Sequence, residues 1–425
     1  MYEEVDAIAL RSLGLKYTDH HLHIGSVSYR EIIEEFQTPI FIFLEDRLLD
    51  NIASFQAAFP HVEIAYAMKA NYLGIVSNII CSQGLGTEIM SLFELKLALD
   101  AGFPPHKIIF NGPGKTERTL AKAIQEQIAL INIEAISELS DIQRLSEDMG
   151  YVQECGVRLQ VPMTKKMRQE ALIRPGYKLG VDPTTAFKII EQAQTLANID
   201  LVALHSHIGT RRGLGTDLFP QIVERITEFL ETVETKLGIR IRILDLGGGF
   251  PSRIHFEMAD LSLQTLATTI MEKLSSWSDI ELIFEPGRYL VGDSMVCLAQ
   301  VLRTKKSFGE NWAITDIGAN TVIPLGYASY SVIPCIKREK KSSINIGGPL
   351  CIPSGIIAKN CPYLIKEKDI IAILNVGAYT LSMEEQFGNL RVGVVHLKDS
   401  SLQWIHKPET WEDYKRFRGN SNNSS

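Results

Sequence analysis

Lys69, in the run AYAMKAN, closes a short apolar stretch. A lysine in that position is costly to bury as an ammonium. It either snorkels along its stem to solvent or puts a neutral amine to covalent use against a carbonyl carbon. Two other runs suit an anion. Gly247-Gly248-Gly249-Phe250 has no side chains over three positions, so backbone N–H groups can close on a phosphate. Glu285-Pro286-Gly287-Arg288 adds a further N–H and a permanent guanidinium charge. A triple glycine alone is more often a turn, and its weight here comes from the EPGR run beside it. His205 and His207 alternate on one strand face and would otherwise fill an interior. His20, His21 and His23 lack the spacing of a converging metal triad, so no metal site is expected there, only a solvated loop or strand start.

These residues sit at the ends of short apolar runs that alternate with stretches of helical period. The candidate strands are AYAMKA (65–70), GTEIMS (86–91), KIIFNG (107–112), LINIEA (130–135), GVRLQV (156–161), LVALHSHIG (201–209), IRILDLGGG (241–249) and ELIFEP (281–286). Between them lie helical patterns such as LFELKLALDAG, apolar at Leu92, Leu95 and Leu99 with a stop at Gly102, and FPQIVERITEFLETVETKLG. Eight βα units in sequence predict an α/β fold built on a (β/α)8 barrel, whose active site lies at the C-terminal strand ends and whose phosphate lies at the loops after strands seven and eight. An open doubly wound sheet is the alternative, because periodicity does not show closure.

Beyond about residue 293 the texture changes to short β-rich runs, which predict a second, mostly β domain. The expected organisation is an N-terminal segment over 1–40 packing with the β domain, the barrel over 41–292, the β domain over 293–410 and a flexible tail over 411–425. TPIFIFLEDRLLDNIASFQAAF reads as a strand and helix able to dock on either domain. The 425-residue length accords with two cores. A net charge of −7 argues against nucleic-acid and polybasic membrane partners and leaves a small molecule as the expected ligand. No apolar run reaches the roughly 18 residues of a membrane span, and the acidic N-terminus is unlike a signal peptide, so a cytoplasmic protein is expected. Cys81, Cys155, Cys297, Cys335, Cys351 and Cys361 form no CxxC pair, which signals neither a zinc cage nor a disulfide framework.

From HLHIGSVSYREIIEEFQTPIFIF to GAYTLSMEEQFGN the chain resembles the fold-type III decarboxylases dependent on pyridoxal 5′-phosphate (PLP), the group of ornithine and diaminopimelate decarboxylases. YAMKAN, GTEIMSLFEL, HSHIGT, LDLGGGF, EPGR, GGPLCIPSG and GAY match its motifs in order. The resemblance implies an alanine racemase-like barrel with a C-terminal β domain. It implies that Lys69 binds PLP covalently, that His207 stacks on the ring, and that Gly247, Gly248, Gly249, Gly287, Arg288 and Tyr379 surround the phosphate, with Thr210 nearby. Glu88 would take the second-strand acidic position, and Arg158 would lie near the site. Glu285 would face the pyridine nitrogen and keep it protonated, where alanine racemase has an arginine. The partner subunit's Cys351 would supply a proton, in a homodimer whose active sites are shared at the interface.

Substrate expectations come from departures. The ornithine and diaminopimelate enzymes follow the catalytic cysteine with an acidic residue, whereas Ile352 stands here, and Ile323 stands where the diaminopimelate enzymes carry an arginine. GPLCIP, FNGPGKT and GAYTLS look most like a subgroup acting on siderophore intermediates or carrier-tethered amino acids in antibiotic assembly. The expected function is therefore a decarboxylase of secondary metabolism, with diaminopimelate decarboxylase of lysine biosynthesis as the alternative. An inactive regulatory homologue is the alternative of another class, and retention of Lys69, Glu285 and Cys351 speaks against it.

Overall fold

The computed structural model describes residues 2–171, 177–207, 218–322, 330–353 and 355–418. The chain divides into two compact units. One comprises Ile52–Pro251 and Leu261–Tyr289, and the other Met1–Asn51, Ser252–Asp260 and Leu290–Ser425.

The first unit is the barrel. Its strands are β1 (Glu63–Ala67), β2 (Gly86–Ile89), β3 (Ile108–Phe110), β4 (Leu130–Ile133), β5 (Gln153–Arg158), β6 (Ile199–His205), β7 (Ile243–Asp245) and β8 (Glu281–Phe284). Every neighbouring pair is parallel, and β8 returns to β1 with Ile283 opposite Glu63, so the barrel closes and the open sheet is excluded. Strands buried on both faces need near-continuous apolar runs, which is what these short Ile-, Leu- and Val-rich segments supply. Ala65, Ile109, Leu130, Val202, Ala203 and Ile283 form one packed cluster of the interior.

Two details of the barrel differ from the sequence expectation. β1 ends at Ala67, and Met68–Ala70 form a 3-10 turn closed by Asn71 N–H donating to Met68 O at 3.2 Å, so Lys69 rides on a turn beyond the strand. In the helix Leu92–Asp100, capped by Ser91 on the Glu94 N–H, the buried face carries Glu94, Leu95 and Ala98 rather than Leu92 and Leu99. Gly102 does stop that helix, at φ +86°.

An aromatic cluster fixes the two segments that matter most. Phe55 meets Phe250 edge-on at 5.0 Å and Tyr289 at 5.1 Å, and Phe250 meets Phe284 edge-on at 5.3 Å. Phe250 directly follows the triple glycine and Phe284 directly precedes Glu285, so packing of these rings sets where both segments leave the barrel.

The second unit is built on a mixed sheet. Its strands are β9 (Met295–Ser307), β10 (Glu310–Thr315), β11 (Val332–Pro334), β12 (Ile344–Gly347), β13 (Ile356–Cys361), β14 (Ile370–Leu374), β15 (Gly393–Lys398) and β16 (Ser401–His406). The run Ile40–Leu44 is also a strand of this sheet, antiparallel to β9 and parallel to β15. The boundary expected between residues 40 and 41 therefore falls after Asn51. The reason is physical: all five residues of IFIFL are buried, as suits a central strand with a neighbour on each side. The tail is also corrected over its first part, because Trp411–Arg418 form a helix. Thr410 and Asp413 cap its start reciprocally, and acids in the first turn and bases in the last complement its dipole. His21 and His23 lie on a short strand, His21–Ile24, of a three-stranded N-terminal sheet. Among the described residues no helix is long and apolar enough to cross a membrane.

Candidate active site

The C-terminal ends of the barrel strands bring together most of the residues singled out in the sequence. Lys69 Nζ pairs with Glu88, the buried penultimate residue of β2. Asn111, just past β3, donates from Nδ2 to Glu88 Oε1 at 3.1 Å and to Glu285 Oε1 at 2.6 Å. One amide thus ties the carboxylate beside the lysine to the carboxylate of EPGR. Asn132, on β4, donates to Asn111 Oδ1 at 2.7 Å and lies 3.4 Å from Asp245 Oδ2. The turn bearing Lys69 is itself held by EPGR: Ala67 N–H donates to Pro286 O, and a side chain at Gly287 would stand 3.0 Å from Ala70 Cβ.

The triple glycine follows Asp245 at the end of β7. Asp245 Oδ1 accepts the Gly247 N–H at 2.9 Å, and His207 Nδ1 accepts the Gly248 N–H at 3.2 Å. Gly247 adopts φ +64°, and a Cβ on it would lie 2.8 Å from His207 Cα. A Cβ on Gly248 would lie 2.5 Å from the Glu285 carbonyl oxygen, so β7 and β8 approach as closely as they do only because no side chain stands between them.

Glu285 is almost wholly buried, with His205 Nε2 at 3.7 Å and His207 Nδ1 at 3.9 Å from its Oε2. Burial raises its pKa, but His205, His207 and Lys69 outweigh this and hold it well below the ordinary carboxylate range. Asp245 is driven the other way, well above that range, by burial and then by the charge of Glu285. His205 is pushed down by burial, against the opposing pull of Glu285. At the far side, Arg158 donates to Glu134 Oε1 at 2.7 Å, and Glu134 also accepts the N–H groups of Gly112 (2.9 Å) and Gly180 (2.7 Å). Although burial opposes it, Arg158 and the Gly180 N–H keep Glu134 below the ordinary range. Glu94 accepts from Tyr72 Oη at 2.7 Å and from Met90 N–H, and is raised by burial and by Glu88.

Lys69, Glu88, Arg158, His207, Gly247 to Gly249, Glu285, Gly287 and Arg288 thus belong to the barrel unit. Thr210 and Ile323 lie outside the described residues. Cys351 and Tyr379 belong to the second unit: the Cys351 thiol is exposed, and Tyr379 adopts φ +59° after Gly377, whose N–H donates to Gly292 O at 2.8 Å. The sequence reading missed Asn111, Asn132, Glu134 and Asp245 as members of this network. Their signal was a polar side chain interrupting an otherwise apolar strand run. The arrangement offers a turn-borne amine beside a carboxylate, a buried anion at the centre, and N–H groups on a glycine turn at one side.

Comparison with known proteins matches residues 45–292 to the model of the pyridoxal-dependent decarboxylases, pyridoxal binding domain. The chain is 30% identical over 406 residues to the diaminopimelate decarboxylase of Aquifex aeolicus, covering 94% of this chain and 96% of that one. It is 29% identical to that of Haemophilus influenzae, covering 94% and 97%. The crystal structure of diaminopimelate decarboxylase from M. jannaschii superposes with a TM-score of 0.88 at 25% identity, covering 97% of this chain and 99% of that one.

Proposed function

The chain belongs to the pyridoxal-dependent decarboxylases, and on that premise we propose that it releases the α-carboxylate of an amino acid as CO2, with PLP held at the C-terminal ends of the barrel strands. The observation that carries this reading is the meeting of Lys69, the buried Glu285 and the Gly247–Gly249 turn around one network. The residues fit the cofactor. The glycine turn has no room for a side chain, as a phosphate cradle requires, and Glu285 is a buried anion in need of a cationic partner. When bound, PLP supplies the electron sink that accepts the pair left as the carbon–carboxylate bond breaks.

The chain's own residues do the rest. Lys69 would hold the cofactor through its amine, and Glu88, paired with it, would take the proton its ammonium must lose to act as a nucleophile. Glu285 would hold a proton at the ring nitrogen. His207 would pack on the ring, its own orientation fixed by the Gly248 N–H. Gly247 to Gly249, Gly287 and Arg288, with Thr210 by motif alone, would hold the phosphate, and Arg158 braces Glu134 at the edge of the site. Tyr379 and Cys351 are assigned by motif alone, the first to the phosphate and the second to the proton that replaces the carboxylate, delivered as the partner subunit's Cys351 in a homodimer.

For the substrate, near full-length similarity to diaminopimelate decarboxylases favours diaminopimelate, the alternative in the sequence reading, over the siderophore or antibiotic intermediates put first there. It lends no support to a carrier-tethered substrate. One observation sustains a second reading. Ile352 follows Cys351 and cannot neutralise a distal ammonium, which suits an amino acid whose far end is uncharged or conjugated. Measuring CO2 release from diaminopimelate, ornithine, lysine, arginine and conjugated amino acids separates the two. Turnover of diaminopimelate supports the first, and turnover confined to conjugates supports the second. Racemisation without CO2 would overturn the reaction itself.

A further inference from the structure

Asp245 has no role in the motif assignments, yet it joins the two halves of the site. It ends β7 with no solvent exposure. Its Oδ1 receives the Gly247 N–H at 2.9 Å, at the start of the glycine turn. Asn132 Nδ2 donates to its Oδ2 at 3.4 Å, and a carboxylate oxygen of Asp245, one of Glu285 and a ring nitrogen of His205 all lie within 4.8 Å of one another.

Two buried carboxyls this close do not both ionise, because each charge disfavours the other without water to screen them. Among the described residues the cations facing the pair are few. Lys69 pairs with Glu88 and Arg158 with Glu134, while His205 and His207 both lie against Glu285. Asn111 and Asn132 donate N–H groups, not charge. Both carboxyls accept N–H groups, Glu285 from Asn111 and Asp245 from Gly247 and Asn132, but the imidazoles of His205 and His207 stand 3.7 and 3.9 Å from Glu285 Oε2 and favour the anion there, so the single proton of the pair belongs on Asp245.

We propose that Asp245 is a positioning residue whose neutral carboxyl donates a hydrogen bond to Glu285, holding it as the one anion presented to the cofactor's ring nitrogen while tethering the glycine turn through Gly247. The phosphate end and the ring-nitrogen end of the cofactor site are then registered by one side chain. The inference rests on the assignment of Glu285 to the ring nitrogen.

The test compares holoenzymes carrying Asp245→Asn, Asp245→Ala and Glu285→Gln with the wild type. Infrared difference spectra at neutral pH, with isotope-labelled aspartate, should show an acid C=O stretch that Asp245→Asn removes. Asp245→Ala should lower kcat by about 10- to 100-fold, the worth of a hydrogen bond to a charged group, with KM changed far less. It should also shift the pH dependence of the bound cofactor's absorbance. Asp245→Asn, a neutral isostere that can still donate, should recover most of both losses. The proposal is overturned by absence of the acid band, by an Asn variant as impaired as the Ala variant or unable to fold, or by a stoichiometric metal ion in the wild type that Asp245→Asn loses. A Glu285→Gln enzyme with unchanged absorbance and kcat would instead remove the assignment of Glu285, whatever the infrared result.

Discussion

Replacing Gly248 with alanine probes the closest backbone approach in the site. The added Cβ would stand 2.5 Å from the Glu285 carbonyl oxygen and 3.3 Å from His207 Cε1. The first contact is with backbone at the end of β8, so no side chain can swing away to relieve it. An ordinary contact requires the two segments to part by about an ångström, and overpacking of this kind costs about 1–3 kcal/mol. The same movement pulls on the Glu285 N–H to Gly247 O bond, now 2.8 Å, whose loss adds about 1 kcal/mol. The expected destabilisation of the cofactor-free protein is thus about 2–4 kcal/mol by urea unfolding. Because the glycine turn and Glu285 separate together, PLP affinity, followed by absorbance titration, should fall by about tenfold or more. Gly74→Ala is the control, since its Cβ would meet no atom among the described residues within 4 Å, and it should change stability by less than about 1 kcal/mol. A Gly248→Ala protein within about 0.5 kcal/mol of wild type and with unchanged PLP affinity would refute the reasoning.

Other perturbations have different signatures. Arg158→Met leaves Glu134 buried without its cation and should cost about 3–5 kcal/mol near pH 7. Because the folded pKa of Glu134 is depressed, the stability it contributes is present above the unfolded value of about 4.3 and is lost as pH falls through the folded value. The deficit of the variant, measured by urea unfolding across pH, should therefore shrink on acidification, and a pH-independent deficit would contradict the pairing. Phe55→Ala, which empties the centre of the aromatic cluster, should cost about 3–5 kcal/mol in the same assay. Mixing inactive Lys69→Ala and Cys351→Ala subunits should restore about a quarter of wild-type activity if sites are shared across a dimer, since half the dimers then carry one intact site of two. No restoration would place each site within one chain.

Much of this was legible in the residues. Each barrel strand is a short apolar run between turn signals and overlaps the stretch the pattern marks, although β1, β5 and β6 begin two or three residues earlier. Closure was not legible, since it depends on β8 finding β1 across more than two hundred residues. Nor was the exact seat of Lys69, because AYAMKA continues as an apolar run past the point where the backbone turns at Met68. Ile40–Leu44 could pair in either unit by composition, and only its partners β9 and β15 assign it. The helix Trp411–Arg418 was obscured by the low-complexity residues after it, although Thr410 and Asp413 carry a capping signature. The central network was the hardest to read. Asn111, Asn132 and Asp245 lie on or next to three different strands, and a linear sequence does not say that their side chains converge.

The most direct test of the account is chemical. Borohydride reduction of the PLP-loaded enzyme should fix the cofactor irreversibly on one peptide, and mass spectrometry should identify that peptide as the one containing AYAMKAN, modified at Lys69. Label on any other lysine, with Lys69 unmodified, would contradict the site on which the proposed chemistry depends.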